Sequence, residues 1–207
     1  MKNKTQKGFT LIELLVVIAI IAILAVVVVL TLNPAQLLAQ ARDSNRISDF
    51  ATLKSALTLY ATDVSSTTPM NGASGTTFGN GAFALYTANI ATSSVTSTYS
   101  TTTATSWGFV GGETSVVSTT ARTVNGQGWI PVNFSAISSG APFSVLPVDP
   151  LNTGSNMYIY AASSTYFKLG TKMESSKYQL NGSNDVVSTD GGNSSTTYEQ
   201  GNNLTQL

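Results

Sequence analysis

One apolar run, from Phe9 to Leu32, constrains this chain more than any other feature of its sequence. Its only polar side chains are Thr10, Glu13 and Thr31. As a helix the run spans about 36 Å, which exceeds the roughly 30 Å hydrocarbon core of a bilayer. A single segment in lipid must pair its own backbone groups, and only a helix does so. The run therefore predicts a membrane-spanning helix, and the three lysines before it predict that the rest of the chain lies outside the cytoplasm.

Three interpretations of this run compete. A cleaved secretory signal has an apolar stretch of about 7–15 residues followed by a small-residue site. Ala39 and Ala41 form such a site, but the run is too long. A plain membrane anchor explains the length and the lysines but gives no reason for Glu13, because an acidic residue at the centre of a membrane helix costs about 2.5–3.5 kcal/mol.

The third interpretation rests on the segment KGFTLIE at residues 7–13. It resembles the prepilin processing site of type IV pilins and type II secretion pseudopilins, and the resemblance extends over about residues 1–63. It implies that a membrane peptidase cuts between Gly8 and Phe9 on the cytoplasmic side. It also implies that the same enzyme N-methylates Phe9 and that the apolar helix is retained.

The resemblance also implies a role in assembly for Glu13. Cleavage leaves a positive amine on Phe9, and a buried charge is tolerated when it is paired. In the family picture, the glutamate of one subunit meets the terminal amine of its neighbour, so Glu13 sets the register between subunits. The implied partners are like subunits in a homopolymer, the prepilin peptidase, an inner-membrane assembly platform and, before assembly, the membrane.

A second helix is predicted after the apolar run, ending near Asp63. Asn33 suits an N-cap and Pro34 suits a first helical position, whereas Pro34 inside one continuous helix would remove a hydrogen bond. Either way, the helix is interrupted or weakened at Pro34. Apolar side chains at three- and four-residue steps predict the face that packs on a core. These are Leu38, Ala41, Ile47, Phe50, Leu53, Leu57 and Tyr60.

The fold class expected is α+β and pilin-like, with a long amino-terminal helix packed on an antiparallel β-sheet head. Alternation predicts a strand at 128–134, and residues 157–161 and 165–169 predict a hairpin. Residues 92–106 are mostly Ser and Thr, which predicts a solvent-facing loop and raises the hypothesis of O-glycosylation. The regions expected are a leader (1–8), a membrane or filament-core helix (9–32), an amphipathic helix (33–63), a Ser/Thr-rich variable loop region (64–127) and a sheet head with a C-terminal loop (128–207).

Composition narrows the possible chemistry. The chain has no cysteine and no histidine, which excludes disulfides, Cys/His zinc sites and Ser-His or Cys-His catalytic pairs. We therefore expect no enzymatic activity. Residues 64–207 carry four basic and six acidic side chains, so no direct nucleic-acid binding is expected. Asp185 and Asp190 near a Gly-Gly pair are candidate calcium ligands, and no other cofactor is expected.

The function expected is a structural subunit of a type IV pilus-like filament. Residues 146–150, LPVDP, resemble a loop of major pseudopilins, so a type II secretion pseudopilin is one alternative. A single-span surface adhesin that keeps residues 1–8 and does not polymerise is the other. The expected location is the cytoplasmic membrane with the head outside, and then an extracellular or periplasmic filament.

Overall fold

The structure is a computed structural model. It describes residues 8–64, 70, 82–87, 96–97, 112–118, 120–154, 156–163 and 166–205, with the backbone alone at 30, 82–87, 96–97 and 112–118. The chain divides into two compact units, Met1–Leu38 and Ala39–Leu207.

The first helix, α1, runs over Leu11–Leu32, and every one of its described side chains is exposed. Its apolar segment Leu11–Val29 has the length and composition of a membrane span. This confirms the helix predicted from the apolar run and fits a membrane anchor. The helix ends where Asn33 adopts a left-handed conformation, with φ of 41°.

The second helix, α2, runs over Pro34–Asp63. Pro34 stands at its first position, where the missing backbone N–H removes no helical hydrogen bond. The backbone N–H of Gln36 donates to the backbone oxygen of Asn33 at 3.0 Å, and the Asn33 side chain accepts from the same group at 3.4 Å. Asn33 therefore ends one helix and begins the next.

The second unit, which we call the head, contains a six-stranded sheet. Its strands are β1 (Ala82–Thr87), β2 (Thr96–Ser97), β3 (Gly112–Ser118), β4 (Ile159–Ala162), β5 (Phe167–Thr171) and β6 (Tyr198–Gly201). Their order is β2-β3-β1-β4-β5-β6. Pairing is antiparallel except between β1 and β3, which run parallel. The α+β, pilin-like expectation is confirmed by the two helices and the antiparallel C-terminal strands.

The strand predictions had mixed outcomes. The hairpin is confirmed as β4 and β5, each beginning two residues later than predicted. The strand predicted at 128–134 is wrong. Among the described residues, its β pairing is limited to an isolated bridge between Asn125 and Asn133. Pro131 has no N–H to donate, and residues Phe134–Ala136 turn into a short 3₁₀ helix.

Residues 64–127 contribute more to the sheet than a loop region would. Strands β1 and β3 lie in it, and β2 lies inside the Ser/Thr-rich stretch. The rest of that stretch falls outside the described residues. The Ser/Thr composition of residues 92–106 offered no hydrophobic alternation that could have revealed β2.

The core lies between α2 and the head, and it corrects part of the predicted apolar face. Phe50, Leu53, Leu57 and Tyr60 are buried as predicted. Leu38 and Ala41 are exposed instead. Ala39, Asp43 and Arg46 are the buried residues in this part of α2.

Candidate functional site

The predicted cleavage junction lies just before α1, outside any helix or strand. A side-chain atom at Gly8 would meet nothing within 4 Å, and Phe9 is 77% exposed. The backbone of the next residue, Thr10, is extended, with φ of −85° and ψ of 150°. A peptidase must reach both sides of the bond it cuts, and Gly8 and Phe9 offer that access. The leader, residues 1–7, lies outside the described residues.

Glu13 closes a capping box at the start of α1. Its Oε2 accepts hydrogen bonds from the backbone N–H of Thr10 at 2.9 Å and from the Thr10 hydroxyl at 2.6 Å. The backbone N–H of Glu13 points back to the Thr10 hydroxyl at 3.3 Å. These contacts satisfy donors that a helix start leaves unpaired. Both carboxylate bonds end on Oε2, so Oε1 remains able to accept from a further donor.

A buried ion cluster joins α2 to two loops of the head. Arg46 is fully buried, and its guanidinium donates to Asp43 at 2.7 Å, to Asp149 at 2.6 and 2.9 Å, and to Glu174. Burial acts to lower the pKa of Arg46, but the hydrogen bonds and charges of its carboxylate partners outweigh it and raise that pKa. Arg46 is therefore held charged inside the protein.

The partners of Arg46 also organise the loops. Asp43 accepts from the backbone N–H groups of Glu174 and Ser175 at 2.8 to 3.2 Å. Asp149 accepts from the backbone of Leu151 at 2.9 Å and of Asn152 at 3.2 Å. The aspartate of the LPVDP loop is thus a buried anchor between α2 and the head. The sequence alone allowed a simple proline-fixed turn there.

Sequence reasoning placed Asp43 and Arg46 off the core-facing side of α2, although a signal was present. Positions 43, 46, 50, 53, 57 and 60 follow one run of three- and four-residue steps. Asp43 and Arg46 therefore share a face with Phe50. Only apolar residues were expected on that face, so the charged ones were assigned to solvent.

The two candidate calcium ligands are engaged by protein donors. Asp185 accepts from the backbone N–H groups of Asn181, Val187 and Ser188 and from the Ser188 hydroxyl, at 2.7 to 3.0 Å. Asp190 accepts from the backbone of Gly192 at 2.8 Å and of Glu199 at 2.6 Å. Among the described residues, no group of three or more acidic side chains is arranged to hold a metal ion. Calcium binding gains no support from this geometry.

Comparison with known proteins bears on the amino-terminal segment. Residues 3–29 match the family model described as the prokaryotic N-terminal methylation motif. This is the prepilin motif of type IV pilins and pseudopilins, and it contains Gly8, Phe9 and Glu13. The motif implies processing by a prepilin peptidase and assembly with pilin-like subunits in general. No curated protein and no solved structure matches the chain.

Proposed function

We propose that this protein is a structural, non-catalytic subunit of a type IV pilus-like filament, made as a prepilin and cleaved between Gly8 and Phe9. One observation carries the proposal: an accessible Gly-Phe junction directly precedes a capped apolar helix with a carboxylate in its first turn. The methylation motif over residues 3–29 supports the same processing route.

The exposed apolar surface at the start of the chain supports assembly into a filament. Large apolar side chains such as Phe9, Leu11 and Ile12 are 70–81% exposed, so they need lipid or other helices around them. A filament core of like helices supplies that environment. Cleavage would also remove Lys2, Lys4 and Lys7, which leaves seven basic and ten acidic residues and a net charge of −3.

Glu13 would then gain a second partner. Before assembly its Oε2 is held by Thr10 of the same chain, and Oε1 remains able to accept. In the filament the amine of a neighbouring Phe9 provides a charged donor, and a hydrogen bond between two charged groups is short and strong. This pairing favours the one axial register in which amine and carboxylate meet.

The first test is the amino terminus of the protein, determined by mass spectrometry in the membrane fraction and in material sheared from the cell surface. The expected result is a chain that begins at Phe9 and carries one extra methyl group. A chain that keeps residues 1–8 would overturn the proposal and favour the single-span adhesin.

Two substitutions at Glu13 separate the charge from the helix cap. Glu13→Gln keeps a side chain that can complete the capping box but removes the charge, whereas Glu13→Ala removes both. We expect both variants to be inserted and cleaved and both to yield fewer filaments. Normal filaments from Glu13→Gln, with few from Glu13→Ala, would show that capping rather than charge pairing is what assembly requires.

The LPVDP loop favours a second candidate, a major pseudopilin of a type II secretion system. Its Asp149 is buried and bonded to Arg46 of α2. Location distinguishes the two functions. Filaments recovered from the cell surface support a pilus, whereas processed protein confined to the cell envelope, together with loss of protein secretion on deletion, supports the pseudopilin.

A further inference from the structure

A buried amine, a carboxamide and a carboxylate meet at one point in the head. Nζ of Lys168, on β5, lies 2.8 Å from Oδ1 of Asn193 and 2.6 Å from Oε1 of Glu199, on β6. The backbone oxygen of Leu204 lies 3.0 Å from the same nitrogen. Lys168 and Glu199 are fully buried, whereas Asn193 is exposed.

The backbone around Glu199 holds its carboxylate against the lysine. Oε2 accepts from the backbone N–H of Ser194 at 3.1 Å, and the backbone N–H of Glu199 donates to Asp190. A Cβ at position 192 would collide with the Glu199 carboxylate, so the loop can approach Glu199 this closely only because residue 192 is glycine. Oε1 is within ion-pair distance of Lys168 but has no partner in good hydrogen-bonding geometry. It is positioned to take up a proton.

The surroundings of Lys168 favour its neutral amine. Burial lowers the pKa of Lys168 more than the neighbouring carboxylates raise it. Burial also raises the pKa of Asp190 to about 6. A buried ammonium and carboxylate can become an amine and a carboxylic acid by moving one proton between them, which avoids the cost of two desolvated charges. The uncharged amine is the nucleophilic form.

We propose that Lys168 and Asn193 form an intramolecular isopeptide bond, with Glu199 as the proton carrier. Glu199 first accepts a proton from the Lys168 ammonium. Nζ then attacks Cγ of Asn193, and the bond from Cγ to Nδ2 breaks. Glu199 supplies the proton that lets Nδ2 leave as ammonia, and Nζ gives up its remaining extra proton to Glu199. One amide forms, one ammonia is released, and no oxidant or other co-reactant is required.

The bond would serve as a covalent staple in a chain that has no cysteine. It would join positions 25 residues apart and fix the segment after residue 190 to β5. Closing a loop in this way restricts the unfolded chain and so stabilises the folded one.

The head contains an internal control for this chemistry. Nζ of Lys54 lies 2.8 Å from Oε1 of Gln200, the same distance as between Lys168 and Asn193. Lys54 is only half-buried, and no described carboxylate lies within ion-pair distance of it. An amine therefore contacts an amide at both places. Only Lys168 is fully buried and lies next to a carboxylate. We expect no bond between Lys54 and Gln200.

Tandem mass spectrometry of the full chain, purified in detergent, unfolded and digested, tests the proposal. The expected result is a branched peptide joining Lys168 to Asn193, lighter by one ammonia than its two linear parts, with Lys54 and Gln200 in linear peptides. Linear peptides with unmodified Lys168 and Asn193 would overturn the proposal. So would conversion of Asn193 to aspartate without a branch. These wild-type results require no variant to fold.

Variants then assign the role of Glu199. Glu199→Gln and Asn193→Ala should each lose the branched peptide and lower the melting temperature. Lys54→Met should keep both at wild-type values. Asn193→Asp should form the same bond with loss of water instead of ammonia. A fully formed bond in Glu199→Gln would overturn the assignment of Glu199 as the proton carrier.

Discussion

Two arginines four residues apart on α2 show how burial changes the contribution of an ion pair to stability. The Arg46 side chain is fully buried among its carboxylate partners, whereas the Arg42 side chain is 28% exposed and pairs with Glu174 at 2.6 Å. Water screens the second pair but not the first. Removing Arg46 also leaves the charges of Asp43 and Asp149 buried without a counter-ion, which strongly destabilises the folded state.

We therefore expect Arg46→Met to lower the free energy of unfolding by about 3–5 kcal/mol. Arg42→Met, the matched control, should lower it by much less, because water screens the more exposed pair. Denaturant unfolding of the full chain in detergent measures both. Equal losses for the two variants would show that the buried cluster adds nothing beyond a surface pair.

The cleavage-site pattern differs from the Arg46 cluster because it is local in the chain. Gly8, Phe9 and Glu13 could be singled out from sequence because their spacing before an apolar run is a local property. Arg46 could not be assigned its role in this way. Its partners Asp149 and Glu174 are more than 100 residues away in the chain, and only folding brings them together.

At the scale of elements, α2 presents one continuous face to the head. Phe50, Leu53 and Leu57 are fully buried on it, while Leu59 on the same helix is 40% exposed. Phe50 also packs edge-on against Tyr158, with ring centroids 5.0 Å apart. Burial of this face, rather than helix propensity, is what stabilises the helix against the sheet.

Truncating a leucine on each side of α2 tests this assignment. Leu53→Ala should lower the free energy of unfolding by about 2–5 kcal/mol because it leaves a cavity in the core. Leu59→Ala should change it by about 0.5 kcal/mol or less, as surface substitutions usually do. Thermal unfolding of both variants in detergent gives the comparison. A larger loss of unfolding free energy for Leu59→Ala than for Leu53→Ala would show that the opposite face of α2 packs on the core.

The strand wrongly predicted at 128–134 has an element-scale explanation. Its apolar residues are all in the core, but they reach it from an irregular loop. The backbone N–H of Trp129 donates to Ala121 at 2.9 Å, and its indole N–H donates to Pro147 at 3.0 Å. Alternation in sequence reports which residues are apolar; it does not report which backbone groups find partners in a sheet.

At the scale of the whole molecule, some carboxyl groups have a lowered pKa and others a raised pKa, so they change the stability of the fold in opposite directions as the pH falls. Hydrogen bonds from Ser188 and its neighbours lower the pKa of Asp185 from 3.8 to about 2. Burial raises the pKa of Asp190 from 3.8 to about 6. Burial acts to raise the pKa of Glu174, but hydrogen bonds from Arg42 and Arg46 outweigh it and leave that pKa lowered.

These shifts predict opposite slopes of stability against pH. The contribution of Asp185 is present above about pH 4 and is lost as the pH falls towards about 2. Folded Asp190 holds its proton more tightly than the unfolded chain does. Its contribution is therefore present below about pH 4 and is lost as the pH rises through about 6.

A series of melting temperatures from pH 2 to 7 checks both signs in one experiment. Asp185→Asn should flatten the curve at the acid end, and Asp190→Asn should flatten it between about pH 4 and 6. Each variant serves as the control for the other, since the two residues lie in the same loop region. Parallel curves for wild type and both variants would contradict the assignment.

The sequence by itself determined the membrane-length helix, its processing motif, the interruption of the helix at Pro34 and the β4–β5 hairpin. Each depends on neighbours in the chain, through helical or alternating periodicity, a capping residue or a short connection. The tertiary structure alone decided that Arg46 is buried and that the 128–134 segment is not a strand. It also brought Lys168, Asn193 and Glu199 together. These outcomes depend on which distant groups satisfy a buried charge or a backbone donor, and no local pattern encodes that choice.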